Sequence, residues 1–123
     1  MILDVSQEFF FDAAHTLERE FETDTSRRIH GHTYHAEVTV RGEKNQRTGM
    51  VVDLVILRNH IRAVRENLDH RLLDDIAELG IPTLENLSVF IANRLKALEP
   101  RVISVRVSRK ASGDSCLYQL SLG

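Results

Sequence analysis

The sequence predicts an α+β fold, with two helices on one face of a four-stranded antiparallel sheet. Three observations carry this. Apolar and polar residues alternate near both ends of the chain, two stripes at helical spacing occupy its middle, and turn-rich segments separate them. There are no repeats, low-complexity tracts or linkers, so residues 1–123 read as a single domain in the order β-β-α-α-β-β.

Leu3, Val5, Phe9, Phe11, Ala13 and His15 share one parity, which predicts a strand over residues 3 to 15. The polar stretch "EREFETDTSRR" reads as a loop. A second strand over 30 to 40 places His30, His32, Tyr34, Ala36, Val38 and Val40 on one face. Asp53 is suited to cap a helix whose stripe is Leu54, Leu57, Ile61, Val64 and Leu68. "GIPT" interrupts the chain. Thr83 then caps a second helix, with Leu87, Phe90, Ile91, Leu95 and Leu98 facing the core, and Pro100 ends it. In the last hairpin Ile103, Val105 and Val107 alternate with polar residues, "SGDS" turns, and Cys116, Tyr118, Leu120 and Leu122 alternate back. Such a sheet has two free edges, which invites assembly.

Composition narrows the function. The chain has 42% hydrophobic and 28% charged residues and a net charge of -2, with both signs scattered. That offers no basic surface for nucleic acid. One cysteine, Cys116, excludes an intrachain disulfide framework and fits a reducing compartment. No apolar run reaches the length of a membrane span and no signal pattern opens the chain, so the expectation is a cytoplasmic protein with nothing trimmed and no membrane partner.

Three of the six histidines fall within "HGHTYH". Residues two apart on a strand point the same way, so His30 and His32 project side by side. If the first two strands pair as a hairpin, His15 joins them. Three neutral imidazoles with one position left open form the donor set of a catalytic zinc. By itself an HxH pair is a weak signal, since surface strands carry histidines by chance. His35 faces the other way and is expected to be exposed, and His60 lies off the helical stripe, in solvent. Asp69 and His70 sit at the end of the first predicted helix. A carboxylate there can orient an imidazole for proton transfer, but a histidine near a helix C-terminus also simply complements the helix dipole.

The segments "FDAAH", "IHGHTYHAEVTVRG", "TGMVVDL", "NLDHRLL" and "PTLENL" resemble, in order and separation, those of the 6-pyruvoyl-tetrahydropterin synthase family, which includes the 6-carboxy-5,6,7,8-tetrahydropterin synthases of the queuosine pathway. The resemblance implies a T-fold, in which sheets join edge to edge into a trimeric barrel and two trimers often stack into a hexamer. It implies zinc on His15, His30 and His32, and active sites at subunit interfaces, with Asp69 and His70 acting from a neighbouring copy. The implied chemistry acts on the side chain of 7,8-dihydroneopterin triphosphate. Zinc acidifies a C–H bond and a cysteine thiolate moves the proton. Triphosphate is then eliminated, or a carbon–carbon bond breaks.

Two positions depart from that pattern. The family's cysteine position is Ser26 here, and a serine hydroxyl is far less acidic than a thiol, so it cannot supply a resting base. Cys116 lies on a C-terminal strand and is no substitute. The family's pterin-gripping glutamate falls at Arg109. A carboxylate accepts the N–H donors of an aminopyrimidine edge, whereas arginine only donates. Arg109 and Lys110 suit a carboxylate, phosphate or carbonyl oxygen, unless they merely solvate a hairpin tip. Asp114 lies too far into the turn to replace the glutamate. Three readings follow: a zinc-dependent lyase on a pterin-like or other polyhydroxylated molecule, with His70 as base and Ser26 auxiliary; a paralogue with a more anionic substrate; or a non-catalytic zinc-containing ligand-binding or scaffold protein. Retention of the histidines together with Asp69–His70 favours a lyase.

Overall fold

The computed structural model describes residues 1–16 and 28–120. Ser26 and Leu122 lie outside the described residues. The elements are β1 (Leu3–His15), β2 (His30–Gly42), α1 (Leu54–Arg65), α2 (Leu84–Leu98), β3 (Val102–Arg109) and β4 (Asp114–Gln119), with a short 3-10 turn at Leu73–Asp75. The strands form one antiparallel sheet in the order β1-β2-β3-β4.

The alternation sorts the two faces as the sequence predicts. Phe11 and Ala13 from β1, Tyr34, Ala36, Val38 and Val40 from β2, and Val105 and Val107 from β3 are buried. They meet Leu57, Ile61 and Val64 of α1 and Leu87, Ile91 and Leu95 of α2. Fully burying each such side chain contributes roughly 1.5–3 kcal/mol, which is what holds both helices to one face. Both predicted caps are made: Asp53 Oδ1 accepts from Val55 N–H at 2.9 Å, and Thr83 Oγ1 from Asn86 N–H at 3.1 Å.

Leu98, expected to face the core, is instead 46% exposed at the end of α2, and four further details differ from the sequence reading. The first is the end of α1. It stops at Arg65, and Leu68, though fully buried, lies in the turns that follow. The chain leaves the helix because His70 N–H bonds to Asp12 O (2.6 Å) and Ala14 N–H to Arg71 O (3.0 Å). That docking onto β1 overrides the helical pattern. Second, a register shift at Thr39/Val40 pairs Val40 with Val102, so Val102 takes the core position expected of Ile103. Third, β4 starts at Asp114, so the hairpin turns at Lys110–Gly113, where Gly113 (φ 80°) supplies the left-handed conformation. Fourth, His35 and His60 are half-buried where exposure was expected. His35 lies beside Phe10, with ring centroids 6.1 Å apart.

Candidate active site

The hairpin register sets His15 opposite His30 and Ala13 opposite His32. Alternation puts all three imidazoles on the helix-covered face, at the end of the sheet where β1 finishes and β2 begins. Their ring centroids lie 4.4, 4.8 and 5.0 Å apart, and one nitrogen from each falls within 4.8 Å of the others. Backbone carbonyls orient two of them: His30 Nδ1 lies 2.7 Å from Arg28 O, and His15 Nδ1 3.3 Å from Thr16 O. With the proton on Nδ1, each ring offers Nε2 as a lone pair.

These nitrogens fit a metal. His15 Nε2 and His32 Nε2 are buried and have no hydrogen-bond partner. Buried polar atoms are rarely left unpaired, and here the vacancies converge. Burial, with the adjacent His30 next in importance, pushes His15 below its ordinary value. Burial, then His15, Arg109 and His30, pushes His32 down to about 4. The neutral imidazole that ligation needs is thus the resting form at neutral pH.

Residues that drew no notice in the sequence surround the cluster. Asp74 accepts from Thr16 N–H (2.9 Å) and Thr16 Oγ–H (2.5 Å). Burial pushes Asp74 up, but those donors and nearby His15 hold it below the usual carboxylate value. Asp74 therefore fixes Thr16, whose carbonyl faces His15 Nδ1. Tyr34 is 1% exposed, stacks on Phe11 at 5.1 Å and presents its edge to His32 at 5.7 Å; burial raises its phenol to about 12, so it stays neutral. Nothing in "RLLDD" distinguishes Asp74 from a solvated acid.

Asp69 and His70 form a second cluster with Asp12, apart from the three histidines. Asp69 Oδ1 accepts from Asp12 N–H at 3.0 Å, and Oδ2 lies 2.8 Å from His70 Nδ1 and 3.3 Å from Arg65. The Asp12 N–H contributes most to holding the Asp69 carboxyl below its ordinary value, against some opposition from burial. The His70 side chain is 78% exposed, which leaves Nε2 facing outward. A shallow hollow of about 480 Å³ opens beside it, walled by Asp12, Gly31, Thr33, His70 and Arg71 among others. His32 also borders this hollow, although its imidazole groups with His15 and His30 and not with His70. Another hollow, about 680 Å³ and mostly apolar, lies between α1 and α2, lined by Val64, Phe90 and Leu98 among others and by no histidine.

Arg109 reaches the histidine end of β3, whereas Lys110 is exposed in the turn. A family profile for 6-pyruvoyl tetrahydropterin synthase matches residues 4–120. The chain belongs to this family. Among its relatives is a 6-carboxy-5,6,7,8-tetrahydropterin synthase of Synechocystis, 35% identical over 109 residues, 84% of this chain and 83% of that protein. A dihydroneopterin monophosphate aldolase of Pyrococcus furiosus is 35% identical over 96 residues, 78% and 77% of the two chains. The solved 6-pyruvoyl tetrahydropterin synthase of Caenorhabditis elegans superposes with a TM-score of 0.84 at 26% identity, covering 98% of this chain and 97% of that one. The T-fold expected for one chain is therefore the fold observed. Pterin synthase relatives carry names for different reactions, so membership leaves the reaction of this chain open.

Proposed function

We propose that this chain is a zinc-dependent lyase of the pterin synthase kind, acting in the cytoplasm on a pterin-like or other polyhydroxylated small molecule. The observation that carries the reading is the convergence of unpartnered buried nitrogens from His15 and His32 beside His30. Those three residues hold the metal. When bound, zinc supplies Lewis acidity toward substrate oxygens.

The chain's own residues supply the rest. His70 takes or gives a proton at Nε2 while Asp69 holds its Nδ1–H, which fixes the tautomer and the orientation of the ring. Ser26 assists and is not the resting base. Arg109 meets the substrate, whereas Lys110, exposed in the turn, stands apart from it. His70 and the histidine cluster of one chain form separate groups, which with the free sheet edges supports sites built from two copies in a trimer or hexamer joined at those edges. A non-catalytic scaffold accounts for the histidines but gives the clamped Asp69–His70 pair nothing to do.

The test is metal content alongside turnover. Purified protein carries about one zinc per chain. His30→Ala and His32→Ala lose most of it, while His35→Ala does not. Zinc-loaded wild type converts 7,8-dihydroneopterin triphosphate slowly, with product followed by chromatography. Mixing Asp69→Ala with His32→Ala chains restores part of that activity. Equal zinc in all the histidine variants would sink the metal assignment, and failure of mixing would sink the shared site.

A further inference from the structure

Arg109 is the last residue of β3, which pairs with β2 through His35 and Ser108. Continuing that antiparallel register by one step brings Arg109 opposite Tyr34, in the row of inward residues that contains His32. Its positive charge is felt at His15, His32 and Tyr34. Arg109 Nη2 donates to Asp114 Oδ2 at 2.9 Å, and that same oxygen lies 3.0 Å from Ser112 Oγ. Nη2 is thus held by the hairpin. Nε, which shares an edge of the guanidinium with Nη2, is not: it is buried and has no partner. A simple hairpin tie needs only the Asp114 contact and gains nothing by burying a vacant N–H in the inward row that contains His32.

We propose that Arg109, tethered by Asp114, is the specificity residue of this site, its free Nε–H receiving an anionic oxygen of the substrate, from a carboxylate or a phosphate. This rests on the metal reading above, because the anion lies between the guanidinium and the histidine cluster. The chemistry favours an anion over an aminopyrimidine edge. Guanidinium carries donors only, and an aminopyrimidine presents N–H donors that would face them. A carboxylate or phosphate offers acceptor oxygens in a matching plane and neutralises charge that a bound divalent ion would increase. Asp74, the acid beside His15, is already occupied by Thr16. Lys110, exposed at the turn, is outside this arrangement.

Calorimetry on the full chain, zinc-loaded and zinc-free, with inorganic phosphate and with oxalate as probes, tests this. Zinc-loaded wild type should bind at least one probe, and Arg109→Gln should lose on the order of tenfold in affinity. Its zinc content and thermal midpoint should stay unchanged. Lys110→Gln should bind like wild type, and Asp114→Asn should fall between. Arg109→Lys, which keeps the charge but not the planar fork, should recover only part of the loss; it serves as the reporter if Arg109→Gln does not fold. Dependence on Arg109 for phosphate alone, or for oxalate alone, identifies the group. Zinc-free wild type should retain weaker, Arg109-dependent binding, so a protein that takes up no zinc but shows this binding keeps the inference and loses the lyase reading. Equal affinity in wild type and Arg109→Gln, or binding of neither probe by zinc-loaded wild type, overturns the inference.

Discussion

His70 is the one non-glycine residue with positive φ (59°) among the described residues. For a residue with a Cβ, the left-handed region costs about 1–2 kcal/mol. Glycine escapes that cost but loses about 0.4–1 kcal/mol through its freer unfolded chain. His70→Gly should therefore be more stable than His70→Ala by about 1 kcal/mol. Both variants lose the imidazole contact to Asp69 and both keep the backbone bond to Asp12 O, so those terms cancel in the comparison. For a domain of this size the difference is roughly 3–5 °C in Tm. The assay is thermal unfolding at fixed chain concentration and fixed zinc, since assembly and metal both shift the midpoint. Both variants should show turnover reduced on the order of 10²–10⁴-fold, because neither has a group to move the proton. If His70→Ala proves as stable as His70→Gly, the left-handed turn is not held by the docking onto β1, and the argument for a rigidly placed imidazole goes with it.

Two further outcomes follow from the same contacts. Asp74→Ala should weaken zinc binding about 10–100-fold without removing a ligand, because Thr16 no longer holds its carbonyl toward His15 Nδ1; competition with a chromogenic chelator reads this, and an unchanged affinity would show that His15 orients itself. Glu99 is buried and bonded to Arg101, and that bond contributes most to lowering its carboxyl from the ordinary value of 4.5. Its stabilisation is complete above the unfolded value and is lost as pH falls through the lower folded value. Glu99→Gln should cost about 1–2 kcal/mol at neutral pH, given that Arg101 is half-exposed, and should flatten the acid limb of the stability profile measured in urea.

The order of elements, both helix caps and the histidine-bearing hairpin were legible because each rests on local pattern. A two-residue period, a capping side chain and a stripe are all carried by neighbours in sequence. The end of α1 was not. Leu68 belongs to the apolar stripe and is buried as the stripe requires, but the backbone around it answers to Asp12 and Ala14, far away in the chain. The exchange of Ile103 for Val102 has the same origin, a register shift set by the partner strand. In the site, His15, His30 and His32 could be grouped once a hairpin was assumed. Asp74 could not, because its role depends on a 3-10 turn lying under the end of β1. The role of Arg109 was half visible: chemistry excluded the aminopyrimidine contact, and only the fold reveals that one N–H is buried without an acceptor.

The docking of residues 69–72 on β1 also works as an end-stop. Backbone groups on an edge strand point outward at every second residue, and here Asp12 and Ala14 are engaged while Phe10 O accepts Arg65 Nε at 2.6 Å. The same parity leaves Asp4, Ser6 and Glu8 facing outward to receive another strand, and β4 is only six residues long. In the proposed ring of copies, an incoming β4 has little room to slide, and His70 marks where it must halt. A residue that moves a proton would then also set the alignment of the joint, so substitutions at Asp69 should blur how the copies line up as well as slow the reaction.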